Sequence, residues 1–212
     1  MIRLTPEMER YLKLQRTDLA GLSGDALAEK FQEQIDSDYD DIATALSLGD
    51  IEDSDPLNVL DIGCGVGGID WAIYKRASIP PVMDTSLHLL DKDGDYVKYG
   101  YKHAKDTGFY NKLMLTRDFL VSNGVPPDRI TCYTPEMVDD IPECNLIVSL
   151  ISCGFHYPVD VYLSLIMRCL SPKGVLVLDI RKGSKQEYLK RLFKKSQCLR
   201  EYEKHERMAY WK

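Results

Sequence analysis

A chain of 212 residues with 44% hydrophobic and 28% charged side chains has the size and composition of one large globular domain, which excludes a fibrous, collagenous or wholly disordered polypeptide. At this length roughly 70% of the unfolded surface is buried on folding, enough for a full core without metal or disulfide staples. Lys+Arg 27 against Asp+Glu 33 gives a net charge of −6, which disfavours a protein that grips a polyphosphate backbone over its whole surface.

The opening segment MIRLTPEMERYLKL has no uninterrupted apolar core and no small-residue cleavage site. No stretch reaches the roughly 18 apolar residues of a membrane span, so a cytoplasmic protein with no membrane partner is expected. The six cysteines, Cys64, Cys132, Cys144, Cys153, Cys169 and Cys198, form no C-x-x-C pair and mostly sit in apolar runs. They read as buried reduced thiols, and no metal is expected. Residues 1–58 carry 14 acidic and 5 basic side chains, whereas 181–207 carry 10 basic and 4 acidic. The first fifty residues read as three short helices. Thr5 caps the first, with Pro6 at its first position; Ser23 precedes the second; Gly49 ends the third. Asp55-Pro56 is only a brief break before a strand, so residues 1–56 are expected to form a helical lid on the same domain.

From Leu57 onward apolar, strand-like runs alternate with helical stretches. Strands are predicted at 57–62, 86–91, 129–133, 144–150 and 174–180, with helices at 68–77, 111–124, 158–170 and about 184–196. CLREYE and RMAYW flank Lys204-His205-Glu206 and predict a closing antiparallel hairpin. Near-unbroken apolar strands separated by helices imply a parallel sheet covered on both faces. The fold class is therefore α/β: a doubly wound, mostly parallel seven-stranded sheet over 57–212, with a closing antiparallel hairpin and an N-terminal helical extension.

The most informative residues are VLDIGCGVGG, 59–68. Gly63, Gly65 and Gly68 fit G-x-G-x-x-G between a strand and a helix, where missing β-carbons let a ligand lie against the backbone. Asp61 stands two residues before the first glycine, and Gly67 completes D-x-G-x-G-x-G. This string resembles motif I of the class I S-adenosylmethionine-dependent methyltransferases, and the resemblance extends over 57–212. It implies S-adenosyl-L-methionine as cofactor. The glycines and Cys64 would pass under its methionine and ribose, and Asp61 would help hold its amino end. A second acid is expected at the end of the second strand to accept from both ribose hydroxyls. Asp91, with Lys92 beside it, stands there, and Asp93 is its rival. The family's adenine-lining loop corresponds to Thr134, Pro135, Glu136 and Met137, and the end of its fourth strand to Ser149, Leu150 and Ile151. Nicotinamide-binding Rossmann proteins also want an acid after the second strand; Asp61 and the terminal hairpin speak against them.

Methyl transfer needs mainly an aligned acceptor and, where necessary, a base. The acceptor region reads SLISCGFHYPVD, 149–160. It lacks the Asp/Asn-Pro-Pro-aromatic tetrad of exocyclic-amine enzymes. It also lacks the carboxylate of the magnesium-dependent catechol type and the Lys-Asp-Lys-Glu set of ribose 2′-O enzymes. His156 is the candidate general base, against a structural histidine, with Tyr157 and Asp160 as partners. Cys153 lacks the companions of a cytosine C5 nucleophile. The segment 93–111 holds Tyr96, Tyr99, Tyr101, Phe109 and Tyr110 among Lys98, Lys102, His103 and Lys105, which could stack on a sugar or base. Together with FYN and GFHYP it is similar to bacterial and phage methyltransferases acting on sugars, which implies a hydroxyl of a small, sugar-like acceptor. The basic stretch 181–195 keeps an RNA or nucleotide acceptor open but disfavoured. A nicotinamide oxidoreductase and a non-catalytic scaffold remain alternatives, and the chain is expected to act as a monomer or homodimer.

Overall fold

The computed structural model describes residues 2–51, 56–77, 84–94 and 112–212. The tyrosine-rich stretch 95–111 lies outside the described residues. Thr5 accepts from the Met8 N–H and opens α1 (Pro6–Gln15), with Pro6 in the first turn as expected. The next two expected helices are one: α2 runs unbroken over Gly24–Ser47. Leu27, Ala28, Phe31, Ile35, Ile42 and Ala45 keep one apolar stripe along it, and nothing between Ser23 and Gly49 interrupts the backbone ladder.

The rest alternates strands and helices: β1 (Asn58–Ile62), α3 (Gly68–Ala77), β2 (Ser86–Leu90), α4 (Leu113–Ser122), β3 (Ile130–Tyr133), β4 (Cys144–Ser149), α5 (Leu163–Cys169), β5 (Leu170–Arg181), α6 (Gln186–Leu192), β6 (Lys195–Glu201) and β7 (His205–Trp211). Two helices are shorter than the periodicity predicts. Pro158 starts a separate 3-10 turn, Val159–Val161, before α5, and β6 begins at Lys195 because it pairs with β7 from that residue on. The seven strands form one sheet in the order β3-β2-β1-β4-β5-β7-β6. β1 to β5 are mutually parallel, and β7 is antiparallel to both β5 and β6. This is the wound sheet with inserted hairpin expected for the class I methyltransferase fold.

Alternation along the strands sorts side chains between two apolar layers. Val59, Leu146, Val148, Val175, Val177, Ala209 and Trp211 pack with α1 to α4. Leu60, Ile62, Ile147, Leu176, Leu178 and Tyr210 pack with α5 and α6. The same alternation puts Asp61, Asp179 and Arg207 on the α2 side of the sheet. All six cysteines are free thiols, Cys198 alone exposed. Among the described residues no helix is long and apolar enough to cross a membrane, and no group of three His, Cys, Asp or Glu could hold a metal ion.

Candidate functional site

β1 runs between β2 and β4 and ends in a turn whose first residue, Gly63, has φ +82°. A side chain there would be strained by its backbone alone. The Gly63 N–H continues the sheet to the Leu90 carbonyl at 2.7 Å, and the Gly67 carbonyl accepts from the Trp71 N–H at 3.0 Å in the first turn of α3. α4 supports the loop from behind: the Thr116 hydroxyl donates to the Gly65 carbonyl at 2.5 Å. Part of the space freed by the missing β-carbons is taken by protein. A β-carbon on Gly63 would lie 2.0 Å from Ser152 Oγ, and one on Gly65 would lie 3.0 Å from Gln15 Oε1 of α1. The turn is nevertheless open. Asp61, Gly63, Cys64, Gly65, Asp91 and Leu150 all line one cavity of about 760 Å³.

Asp91 stands where β2 ends. Its Oδ2 accepts from the Gly65 N–H at 3.1 Å and its Oδ1 from the Lys92 N–H at 2.8 Å, so it ties the second strand to the glycine turn. Its rival Asp93 accepts from the Leu113 N–H at 3.0 Å, at the start of α4. The two acids thus take different partners in the fold, Asp91 the glycine turn and Asp93 the start of α4.

Asp61 has a neighbour the sequence reading missed. Asp70, in the first turn of α3, is fully buried, and the two carboxyls are within hydrogen-bonding reach. Burial raises the pKa of both, and for Asp61 the nearby charges of Asp70 and Asp91 add to it. Burial also pushes up the Cys64 thiol beside them. A carboxyl whose pKa is raised by folding binds a proton in the native state that the unfolded chain has already lost. Its stabilising proton is thus present at low pH and forfeited as pH climbs from about 4 towards the raised value. Asp70→Asn is expected to stabilise the protein by about 1–2 kcal/mol at pH 8, raising Tm by about 3–6 °C, with a smaller gain at pH 5. Thermal melts at the two pH values check this; an equal gain at both would show that the pair does not carry the proton.

The far wall of the cavity is built by α2, the loop after β4 and the hairpin. Arg207, only 2% exposed, donates through Nε and Nη2 to Asp179 at 2.8 and 3.0 Å and through Nη1 to Asp38 and Asp41 at 2.6 and 3.1 Å. Arg200 donates to Asp41 at 3.0 Å and to the Ser37 carbonyl at 2.9 Å. The two hairpin arginines thus hold the acidic helix α2, Arg76 of α3 pairs with its Asp36 and Asp40, and Lys195 of the basic stretch donates to the Leu48 carbonyl at its C-terminal end at 2.9 Å. Asp179 also accepts from the N–H of Ile151 at 3.2 Å; Ile151, at φ +59°, is the one non-glycine residue with positive φ among the described residues. A β-branched residue in that conformation is strained and is held by this contact.

His156 and Tyr157 line the same cavity, as do Tyr202 and His205, which the sequence reading did not single out. Burial lowers the pKa of His156, and Arg181 lowers it further. His205 is lowered mainly by burial; its ring stacks on Tyr202 at 4.2 Å and meets Phe155 edge-on at 5.1 Å. Both imidazoles are consequently neutral at pH 7 and able to accept a proton.

Other expected residues are placed elsewhere. Asp160 is exposed, pairs with Lys185 at 3.3 Å and is not among the residues lining the cavity. Pro135 and Glu136 begin a 3-10 turn after β3, outside the cavity lining. The Glu136 carboxyl is held below its ordinary value, chiefly by the Thr134 side chain. Lys92 is exposed, its ammonium 6.0 Å above the Tyr157 ring. Ser149 is fully buried, donating to the Ile62 carbonyl at 2.6 Å and accepting from the Cys153 N–H at 2.9 Å, which pins the end of β4 to β1. The buried Cys153 thiol is pushed up to about 12, which removes it as a nucleophile near neutral pH.

No protein-family model matches the chain, and no curated protein matches it by sequence. Among solved structures it is similar to precorrin 8w decarboxylase of Methanobacterium thermoautotrophicum, at 18% identity and TM-score 0.45 over 74% of this chain and 80% of that one. It is also similar to a cyclopropane-fatty-acyl-phospholipid synthase-like protein of Lactobacillus casei, at 18% and 0.47 over 80% of this chain and 57% of that one. A third is a SAM-dependent methyltransferase of Thiobacillus denitrificans in complex with S-adenosyl-L-homocysteine, at 13% and 0.44 over 72% and 53%. The likeness is one of fold alone. This chain spans little more than half the length of the last two.

Proposed function

We propose that this protein is a methyltransferase that uses S-adenosyl-L-methionine to methylate a hydroxyl of a small, neutral, sugar-like acceptor, with residues 1–56 forming a helical lid on the same domain. The observation that supports the cofactor is the pair Asp61 and Asp70: two buried carboxyls beneath a glycine turn, with no lysine or arginine of the described residues among the groups acting on either. A nicotinamide dinucleotide would set its pyrophosphate on such a turn and helix start, adding a further anion. A ligand with a cationic end instead offsets the charge buried there. Asp61 would hold the amino end, Asp91 would accept from the ribose hydroxyls, and the backbone of 63–65 with Leu150 would flank the ligand. When bound, S-adenosyl-L-methionine supplies an electrophilic methyl on a sulfonium.

The cavity's cations support this acceptor class. Arg16, Lys30, Arg200 and Arg207 line it, and each is paired with a carboxylate: Asp18 at 3.3 Å, Glu33 at 2.7 Å, Asp41 at 3.0 Å and Asp179 at 2.8 Å respectively. A phosphate-bearing nucleotide or RNA would have to break such a pair to be neutralised. An uncharged polyol would not. His156, neutral and at the cavity wall, would accept the hydroxyl proton, with Tyr157 orienting the acceptor.

Calorimetric titration with S-adenosylhomocysteine and with NAD(P) separates the enzyme readings: binding of NAD(P) without S-adenosylhomocysteine would overturn the proposal. Transfer of a tritiated methyl to neutral glycosides, and not to tRNA, is the expected acceptor result, and heavy labelling of tRNA would overturn the acceptor class. His156→Gln is expected to lower kcat about 100-fold or more while leaving affinity for S-adenosylhomocysteine unchanged. Full activity in that variant would remove His156 as the base.

A further inference from the structure

Two carboxylate oxygens are both acceptors, so the contact between Asp61 and Asp70 is a hydrogen bond only when one of them carries a proton. Among the described residues, no cation acts on the pair to neutralise it. Asp70 is fully buried and, among the described residues, neither of its oxygens has a well-formed hydrogen bond to any donor, and besides Asp61 its own backbone N–H is the one group that acts on it. Asp61 is 3% exposed and lines the cavity. Among the described residues the one further group acting on the pair is the Asp91 carboxyl at the end of β2, which acts on Asp61, and the pair itself pushes up the Cys64 thiol in the turn; neither group is cationic. From α2, the neighbours of the turn are Phe31 and Ile35, apolar side chains that would meet a β-carbon on Gly68 at 2.8 and 2.9 Å. The nearest cations of α3 are engaged elsewhere: Lys75 donates to the Gly124 carbonyl and Arg76 pairs with Asp36.

We propose that Asp61 and Asp70 share one proton in the ligand-free protein and release it to solvent when the ammonium of the methionine end docks on Asp61, Asp70 acting as the positioning residue that stores it. The inference rests on the methyltransferase reading and deepens it. The incoming positive charge takes the place of the proton, so the buried pair keeps one compensating charge throughout and no bond other than O–H is broken. Binding of the cationic end is thereby coupled to pH, and it strengthens as pH rises.

The test is calorimetry of S-adenosylhomocysteine, which carries the ammonium, and of 5′-methylthioadenosine, which lacks it, in two buffers of different protonation enthalpy at pH 6. About one proton should be released per S-adenosylhomocysteine bound and none per methylthioadenosine. Below the value at which the pair loses its proton, affinity for S-adenosylhomocysteine should rise about tenfold per pH unit. In Asp70→Asn both effects should vanish while binding persists. His156 and His205 also line the cavity, and undiminished proton release in Asp70→Asn would assign it to them or to Asp61 alone and overturn the shared proton. Should Asp70→Asn fail to fold, His156→Gln and His205→Gln keep the test: proton release by S-adenosylhomocysteine should persist in both, and its loss in either overturns the proposal. Binding of S-adenosylhomocysteine with no buffer dependence overturns the proton exchange and leaves the cofactor reading standing. Absence of binding overturns both.

Discussion

Arg207→Met is expected to destabilise the protein by about 3–5 kcal/mol, the scale on which a buried ion pair loses one partner. The guanidinium is 2% exposed and Asp179 is fully buried, so removing the cation strands Asp179 in a medium that cannot solvate it. Asp38 and Asp41 of α2 lose the same partner, although Asp41 keeps Arg200 at 3.0 Å. Urea unfolding followed by circular dichroism should show the midpoint falling with little change in slope, and Tm should drop by about 10 °C or more. Adding Asp179→Asn to Arg207→Met should recover a good part of the loss, because the stranded charge is then gone. A loss below about 1 kcal/mol for the single variant, or none recovered in the double, would show that the network contributes no more than a surface pair. The consequence for the site is direct. Asp179 also holds the strained Ile151 N–H, so the cavity wall after β4 should loosen with it.

Gly63→Ala is expected to cost about 2–4 kcal/mol and to abolish tight binding of S-adenosylhomocysteine. Two effects add. The φ of +82° costs a side chain about 1–2 kcal/mol, and the new β-carbon would sit 2.0 Å from Ser152 Oγ and 2.5 Å from Ser152 Cβ. Gly183 offers the control, since its φ is +76° and nothing lies within 4 Å of where its β-carbon would go. Gly183→Ala should therefore show the backbone cost alone, about 1 kcal/mol. Ser152→Gly combined with Gly63→Ala should restore the steric share of the loss and leave the conformational share. If Gly63→Ala proves no worse than Gly183→Ala, the close approach of Ser152 is not a constraint on the turn.

The amino-acid sequence by itself determined the wound sheet, its hairpin and the glycine turn, because these depend on local rules: continuous apolar runs for strands buried on both faces, capped periodic stretches for helices, and glycines where the chain must adopt positive φ. The placement of Asp61 and Asp91 at the cavity was legible for the same reason, since each stands at a fixed offset from a strand end. Helix lengths were less so. The 24-residue α2 and the early start of β6 are set by packing and strand pairing, which override weak local stop signals. Which charges meet is fixed by the packing of distant elements. Asp70 faces Asp61 because one turn of helix folds back over a strand end, Asp38 and Asp41 reach Arg207 across more than 160 residues, and Asp93 rather than Asp91 takes the start of α4. No periodicity encodes such pairings: they arise from which face of the sheet α2 covers, and at a buried site that choice sets whether a carboxyl is ionised.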